Sequence, residues 1–413
     1  MPGRPKKPFR ASAKLLAEGL PSPFPRTLAP NALKYLREVV DSGMTTDMMG
    51  RFEKAFAEAL GVQYCIATPG CTPALHGLFL ACDFAPGDEV IVSPITDYGT
   101  VQGLLAQDLI PVFPDTPPGN INFSAETIAP CLGPRTRAIL CVHKTGIFCD
   151  MDPINALAAQ HGLMVFEDCC QAVFGQYKAR LAGTLGHAAC FSFDPEKTMG
   201  SDTGGCMVTN DPELHERARY CAQNRAGTMR AGFGRVHTDV GYAYRMPQCT
   251  AAICLAQLEH VREWVAHRDK MARLTYRLLS EIPGITPVPI PGYVDVFSCW
   301  MMGFNLAPGA FRCPPAEFAA TLANAGISTA SLAEYYLMPA ALEVLQRKTE
   351  EGCFPYSVPP ASRTYTYSAE SCPNARDFLK TFIRWVTFCE KWQPEHCALA
   401  ADIVRETANH YRA

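Results

Sequence analysis

Short apolar runs alternate with amphipathic stretches over the first half of the chain. Apolar runs of four or five residues are typical of strands buried on both faces, and apolar residues three or four positions apart are typical of helices. The predicted strands are 64–67, 89–93, 110–113, 138–142, 164–166, 189–193 and 206–209. The predicted helices of this region are 31–40, 51–60, 72–82, 100–107 and 154–161. The alternation predicts an α/β fold with a mostly parallel sheet between two helical layers.

A longer helical pattern covers 248–282 and ends at Pro283-Gly284, and a last helix is predicted over 399–410. The chain has 413 residues, more than one hydrophobic core usually serves. We therefore expect an N-terminal tail and arm over 1–30, a large α/β domain over 31–265 and a smaller C-terminal α+β domain over 266–413.

Charge and cysteine content exclude several classes of protein. The net charge is −3 with mixed signs along the chain, so neither a nucleic acid nor a membrane is an expected partner. The basic start, 1–10, is predicted to be a solvated tail, and because no apolar signal segment follows it we expect a cytoplasmic protein. The nineteen cysteines include no CxxC pair, which favours buried thiols over disulfides or a metal site.

The candidate chemistry lies between two of the predicted strands and the turns that follow them. Asp168 ends one strand, Gln171 follows it, and Lys197 follows the strand that contains Ser192. A lysine and an acid about thirty residues apart are what pyridoxal phosphate (PLP) chemistry requires. The lysine holds the cofactor aldehyde as a Schiff base, and the acid keeps the pyridine nitrogen protonated.

A phosphate-binding segment is predicted at the start of the helix 72–82. Gly70, Cys71 and Thr72 follow a strand there, so their backbone N–H groups and the Thr72 hydroxyl would face an anion. Ser192 is expected to join the same phosphate. Each feature alone has a plainer reading, since Gly-x-Thr is often an ordinary helix cap, a strand-end aspartate a salt-bridge partner and a lone lysine a solvated side chain.

Several further segments, taken with these, resemble the DegT/StrS family of PLP-dependent aminotransferases. The matching segments are Phe52-Glu53-Lys54-Ala55-Phe56-Ala57, Ala74-Leu75-His76, Pro86-Gly87-Asp88-Glu89-Val90-Ile91-Val92, Pro111-Val112-Phe113, Val142-His143, Glu167-Asp168-Cys169-Cys170-Gln171-Ala172, Phe191-Ser192-Phe193, Lys197, Gly204 to Asp211 and Tyr244-Arg245-Met246. The resemblance implies fold type I, a three-layer sandwich with a mostly parallel central sheet and a smaller C-terminal domain.

The resemblance also implies roles for individual residues. Lys197 is the Schiff-base and proton-transfer lysine, Asp168 the partner of the pyridine nitrogen, and Gln171 the neighbour of the ring hydroxyl. Gly70, Cys71, Thr72 and Ser192 hold the phosphate. Arg245 reaches the phosphate of the neighbouring subunit, which implies a homodimer, although a surface salt bridge explains this arginine equally well.

Two departures from the family pattern affect the cofactor site. Asp97, with Tyr98 beside it, occupies the position where many relatives carry an aromatic residue that stacks on the cofactor ring. We keep both as cofactor-binding candidates, because Tyr98 would have to shift in to cover the ring. Ala243 replaces an asparagine that contacts the phosphate across the subunit boundary.

The expected reaction is transamination from L-glutamate or L-glutamine to a keto-sugar, keto-cyclitol or related small ketone, in sugar or secondary-metabolite biosynthesis. The acceptor pocket is expected to include 44–49, Trp300 and 333–336. One alternative is different PLP chemistry, such as sugar dehydration, but relatives of that kind carry histidine in place of Lys197. The other is a non-catalytic, PLP-binding regulatory protein, suggested by Asp97 and Ala243.

Overall fold

The structure is a computed structural model that describes residues 19–224 and 228–412. The strands are β1 Tyr64–Thr68, β2 Glu89–Val92, β3 Ile110–Val112, β4 Thr136–Val142, β5 Met164–Asp168, β6 Gln176–Tyr177, β7 Arg180–Leu181, β8 Ala188–Ser192, β9 Gly205–Thr209, β10 Thr228–Arg230, β11 Gly234–Val236, β12 Ile285–Pro287, β13 Val294–Val296, β14 Met302–Leu306, β15 Ser331–Leu332 and β16 Phe382–Trp385.

Fourteen α-helices occur within the described residues. They are α1 Ala32–Asp41, α2 Met48–Leu60, α3 Cys71–Cys82, α4 Tyr98–Leu105, α5 Ala125–Ile128, α6 Met151–His161, α7 Pro212–Gln223, α8 Gln248–Leu258, α9 Val261–Ser280, α10 Pro315–Asn324, α11 Met338–Ala341, α12 Glu343–Glu350, α13 Pro373–Thr381 and α14 Pro394–Tyr411. None of these helices is both long and apolar enough to cross a membrane.

Seven strands form the central sheet, in the order β1-β9-β8-β5-β4-β2-β3. Five of them pair in parallel, and β9 runs antiparallel to both of its neighbours. Because β1 and β8 are both antiparallel to β9, β1 points in the same direction as the five parallel strands. The carboxyl ends of β1, β4, β5 and β8 therefore meet at one edge, where ligands of open α/β sheets bind.

The predicted mostly parallel sheet is confirmed, and each of its seven predicted strands lies within two residues of the observed bounds. The largest difference that affects the site is at β5, which includes Glu167 and Asp168. Both carboxylates are buried there. Asp168 is the last residue of the strand, as expected from the sequence.

The predicted single helix over 248–282 is wrong, because the chain turns at Glu259 and His260 between α8 and α9. Glu259 accepts hydrogen bonds from the Asn31 amide at 2.7 Å and from the Tyr35 hydroxyl at 2.5 Å. Helix α8 packs on α1 and α2, whereas α9 packs on α14. One straight helix cannot cover these two surfaces, so tertiary packing overrides the continuous apolar pattern.

The C-terminal part contains a four-stranded antiparallel sheet in the order β12-β14-β16-β15, covered by α9, α10, α13 and α14. Helix α9 runs through residue 265, across the boundary expected between the two domains. The division into 31–265 and 266–413 stays a prediction.

An aromatic cluster fixes α2 beneath the strand that leads to Lys197. Phe56 packs edge-on against Phe191 and Phe193, with ring centroids 5.2 and 5.4 Å apart, and Phe52 contacts Phe193 in the same way. All four rings are fully buried. Such pairs each add about 0.5–1.5 kcal/mol beyond area burial. The cluster therefore holds the end of β8, and the turn after it, in one position.

Candidate active site

A cavity of about 410 Å³ opens at the carboxyl edge of the central sheet. It brings together eight of the residues that the sequence predicted for the cofactor site: Gly70, Cys71, Thr72, Asp97, Asp168, Gln171, Ser192 and Lys197. The C-terminal part contributes Trp300, Tyr335 and Tyr336 to the opposite wall. Residues far apart in sequence therefore share one enclosed volume.

Asp168 lies at the base of this cavity and is held by two hydrogen bonds. The Thr100 hydroxyl donates to its Oδ2 at 2.7 Å, and the backbone N–H of Cys170 donates to its Oδ1 at 3.1 Å. The Thr96 and Thr100 hydroxyl oxygens lie 2.7 Å apart, which extends the network into the segment before α4. A buried carboxylate is thus fixed in orientation while one face remains toward the cavity.

Gln171 is tied to the loop that follows β4. Its Oε1 accepts a hydrogen bond from the backbone N–H of Thr145 at 2.6 Å. No group among the described residues accepts from its Nε2, so the amide hydrogens are available to a bound molecule. Gly146 allows this loop to pass close to Ser298, since a Cβ there would lie 2.1 Å from the Ser298 carbonyl oxygen.

The anion-binding end of the cavity is the start of α3. Gly70 caps this helix, and Cys71 and Thr72 are its first residues, so their N–H groups have no partner within the helix. Gly205 lies directly behind the segment, where a Cβ would come within 2.4 Å of the Gly70 carbonyl carbon and 2.5 Å of the Cys71 nitrogen. Two backbones can approach this closely only because residue 205 is glycine.

Two thiols line this anion-binding end. Burial raises the pKa of Cys71 well above its ordinary value, and a hydrogen bond with Cys71 raises that of Cys170. Both thiols are therefore neutral at physiological pH. They add no negative charge beside the helix N-terminus, so a cysteine at this position is compatible with an anion there.

Lys197 lies across the cavity from Asp168, in the turn after β8. Its Nζ is 3.9 Å from the centroid of the Trp300 ring, and the Trp300 indole N–H donates to the Glu196 carbonyl at 2.9 Å. The backbone N–H of Lys197 donates to the Asp194 carbonyl at 2.9 Å. The turn and the indole together fix where the amine can reach.

A second buried pair supports the ends of β4 and β5 below the cavity. Glu167 accepts hydrogen bonds from His143 Nε2 at 3.0 Å and from the backbone N–H groups of Gly183, Leu185 and Gly186. Burial alone would lower the pKa of His143, but hydrogen bonds with Cys149 and Glu167 outweigh it and raise the pKa to about 9. The raised pKa favours the protonated imidazole, with Glu167 as the hydrogen-bond partner of Nε2.

Three predicted positions do not line the cavity. Tyr98 is 46% exposed and lies in a shallow depression with Tyr335 and Met338. Arg245 is exposed and donates to the Gln223 carbonyl at 2.8 Å. In the 44–49 loop, Met48 and Met49 are buried at the start of α2. Asp97 does reach the cavity, while its carboxylate also accepts from the Gly99 N–H and caps α4.

Sequence reasoning missed Thr100 and Lys144. Thr100 was predicted as a helix start, and only the contact with Asp168 gives it a role. Lys144 lies two residues after the end of β4 and is fully buried. A lysine inside the apolar run from Ala138 to Phe148 is the signal that would have singled it out, because lysine is rarely buried without a partner.

The model of the DegT/DnrJ/EryC1/StrS aminotransferase family matches residues 27–370. The chain belongs to this family. Its members are PLP-dependent aminotransferases, so this protein is a PLP-dependent enzyme of that class with fold type I. The family predicted from the sequence motifs is confirmed.

Relatives and solved structures of this aminotransferase family agree with that placement. A GDP-perosamine synthase of Caulobacter vibrioides is 34% identical over 68% of this chain and 75% of its own length. A pleiotropic regulatory protein of Geobacillus stearothermophilus is 31% identical over 76% of this chain and 82% of its own. The structure of 3-amino-5-hydroxybenzoic acid synthase superposes with a TM-score of 0.82 over 95% of this chain and all of that one, at 23% identity.

The residues present match the chemistry of the family's cofactor. Asp168 offers a fixed carboxylate for a protonated pyridine nitrogen, Lys197 offers an amine for an aldehyde, and the N-terminus of α3 offers free N–H groups for a phosphate. Gly205 leaves the phosphate-binding segment room that any side chain would fill. PLP thus fits this cavity.

Proposed function

We propose that this protein transfers an amino group from L-glutamate or L-glutamine to the keto group of a sugar, with Lys197 and Asp168 as the catalytic pair. The observation that carries the proposal is the meeting of Lys197, Asp168 and the N-terminus of α3 in one cavity of about 410 Å³. An amine, a buried carboxylate and an anion site are the three groups that PLP chemistry needs.

The cofactor is held at three points. Thr72, Ser192 and the backbone at Gly70 and Cys71 bind the phosphate. Asp168, fixed by Thr100, pairs with the ring nitrogen. Gln171 donates from its free amide nitrogen to the ring hydroxyl.

Lys197 is the group that transfers the proton in the proposed reaction. When bound, PLP supplies a sink for the electron pair that is left when the substrate Cα–H bond breaks. The Lys197 amine would hold the cofactor aldehyde and, when free, would be the base that takes the proton from the substrate carbon. The Asp168 carboxylate would face the ring nitrogen and favour its protonated form.

A sugar is the acceptor class that the relatives favour. GDP-perosamine synthases of three organisms are 32–35% identical to this chain. The rings of Trp300, Tyr335 and Tyr336 line the wall opposite the sheet, where they offer apolar faces and hydroxyl groups to a small cyclic ketone.

The active unit is proposed to be a homodimer with Arg245 crossing into the partner's cavity. Arg245 is exposed, and Met229, Phe233 and Val240 expose large apolar side chains on the segment that precedes it. Co-expression of Lys197→Ala and Arg245→Ala chains tests this arrangement. Mixed dimers regain activity if one cavity draws on both subunits, and stay inactive if each chain is self-sufficient.

The absorption spectrum of the purified protein with PLP tests the reaction. A long-wavelength band that bleaches with L-glutamate or L-glutamine, and is absent in Lys197→Ala, supports the proposal. Lys178→Ala is the matched control, because Lys178 is an exposed lysine paired with Asp152 far from the cavity. A band that neither donor bleaches would contradict transamination from these amino acids.

A regulatory role is the second candidate, because one relative at 31% identity is named a pleiotropic regulatory protein. The same spectra distinguish it from the first. A protein that binds PLP through Lys197 but never bleaches with any amino donor is a PLP-binding regulator rather than an aminotransferase.

A further inference from the structure

Lys144 is a second lysine close to the cavity, packed against the cavity-lining Tyr336, and it is buried without a polar partner among the described residues. Its Nζ forms no hydrogen bond with any described residue and lies 3.1 Å from the centroid of the Tyr336 ring, which lines the cavity. The surrounding backbone is fixed, since Thr96 N–H donates to the Tyr336 carbonyl and Trp300 N–H to the Thr145 carbonyl. An isolated buried ammonium is costly unless an anion accompanies it.

Arg384 brings a second cation to the same pair of tyrosines. It lies on β16, its Nε is buried and has no hydrogen-bond partner among the described residues, and its terminal nitrogen is 3.2 Å from the Tyr335 hydroxyl. The Tyr335 and Tyr336 rings lie 4.1 Å apart, and both line the cavity. Two incompletely satisfied cations, from different parts of the fold, thus flank one aromatic wall.

No carboxylate among the described residues forms an ion pair with either of them. Asp168 is engaged by Thr100 and Cys170, and Asp97 caps α4, so neither forms an ion pair with Lys144 or Arg384. Burial lowers the pKa of Lys144 well below its ordinary value, with Lys197 and Arg384 acting in the same direction and Asp97 and Asp168 against it. The lowered pKa favours the neutral amine, and an anion bound beside it would favour the charged form.

We propose that Lys144 and Arg384 form a carboxylate-binding subsite, so that the enzyme takes a substrate with a carboxylate at the Tyr335–Tyr336 wall. The inference rests on the proposed aminotransferase function and names the substrate group that binds there. A carboxylate matches the planar guanidinium, and the flexible stem of Lys144 lets the ammonium move from the ring face to a carboxylate oxygen. A neutral hydroxyl would leave the Arg384 guanidinium without a counter-charge and would not stabilise the charged form of Lys144.

One consequence concerns protons. If Lys144 is neutral before binding and charged afterwards, the enzyme takes up one proton for each carboxylate that it binds. Binding must then weaken as pH rises, since the proton becomes scarcer. The other charged groups that face Lys144 are Asp97, Asp168, Lys197 and Arg384, so variants at Lys144 itself are needed to assign the proton.

The test is calorimetric titration of the PLP-loaded enzyme with glutarate, an unreactive dicarboxylate, in two buffers of different ionisation enthalpy. Glutaramide, the uncharged analogue, is the control ligand. Lys144→Met and Arg384→Met are each expected to raise the glutarate Kd about tenfold to a hundredfold, and Lys144→Met to abolish proton uptake. Lys178→Met, at an exposed lysine, should leave both unchanged.

Unchanged glutarate affinity in Lys144→Met, or equal affinity for glutaramide, would overturn the subsite. The source of the carboxylate follows from the two half-reactions. If Lys144→Met slows the reaction with L-glutamate and its reverse with 2-oxoglutarate, the subsite holds the donor; if it slows only the reaction with a ketone acceptor that carries a carboxylate, it holds the acceptor.

The subsite and the aminotransferase function can be tested independently of each other. Borohydride reduction followed by peptide mass analysis shows whether PLP is attached to Lys197. An enzyme with PLP on Lys197 that ignores glutarate retains the proposed function and loses the subsite. An enzyme without PLP on Lys197 loses the proposed function, whatever its affinity for glutarate.

Discussion

The Lys197 Nζ lies 3.9 Å from the centre of the Trp300 indole ring. The amine in the turn after β8 is therefore in contact with an aromatic ring from the C-terminal part of the chain. The indole is itself held by its hydrogen bond to the Glu196 carbonyl. A ring face attracts a cation by about 0.5–2 kcal/mol. Trp300 therefore limits the positions that the free amine can occupy.

Replacing Trp300 should separate positioning from cofactor binding. Trp300→Leu is expected to lower kcat about tenfold with little change in PLP affinity, because the amine loses the ring face that orients it. Trp300→Phe keeps a ring and should recover part of the rate. Steady-state kinetics with PLP titrations measure both quantities. Equal rates for the Leu variant and the parent would contradict a positioning role.

Two variants separate the effect of the Asp168 charge on the rate from the effect of its hydrogen bond with Thr100. Asp168→Asn removes the anion beside the ring nitrogen and is expected to lower kcat about a hundredfold or more. Thr100→Val removes only the 2.7 Å hydrogen bond to Asp168 and should cost about tenfold. Single-turnover rates with saturating donor give the comparison. A Thr100→Val loss as large as that of Asp168→Asn would show that Thr100 acts in some other way.

Gly205→Ala should weaken cofactor binding through the backbone alone. The new methyl would lie within 2.5 Å of Gly70 and Cys71, so the phosphate-binding segment must move. We expect at least about a tenfold rise in the PLP Kd and a loss of about 1–3 kcal/mol in stability. Gly292→Ala is the matched control, since nothing lies within 4 Å of a Cβ there. Similar PLP affinities in the two variants would refute the close-approach argument.

The His143–Glu167 pair should make stability depend on pH. The pKa of His143, about 9, exceeds the ordinary 6.5. The contribution of the pair to the free energy of unfolding is therefore complete below about pH 6.5 and is lost as pH rises through about 9. Glu167→Gln is expected to lower the free energy of unfolding by about 3–5 kcal/mol at pH 6. Urea unfolding at pH 6 and pH 10 measures this difference, which should shrink at the higher pH.

Glu58→Gln is the control for that series, because Glu58 is exposed and only weakly paired with Lys54. It should change the unfolding free energy by at most about 0.5 kcal/mol at either pH. A Glu167→Gln effect that grows between pH 6 and pH 10 would reverse the sign worked out for His143.

The sequence by itself determined the sheet and the family, and it predicted eight cofactor-site candidates that share one cavity. Strand 64–68 is mostly apolar, and this local property predicts a strand that is buried on both faces. Lys197, Asp168 and Thr72 were predicted because each lies at or shortly after a strand end, and parallel strands bring their ends to one edge. These inferences needed only local pattern and the geometry of a parallel sheet.

Tertiary structure alone decided the break at Glu259, the placement of Tyr98 outside the cavity and the environment of Lys144. The break depends on α1, which holds Glu259 from about 225 residues away in the sequence. Lys144 is unusual only because Tyr336 covers it and no carboxylate pairs with it. Burial and pairing depend on residues that are distant in sequence, so a local sequence pattern cannot predict them.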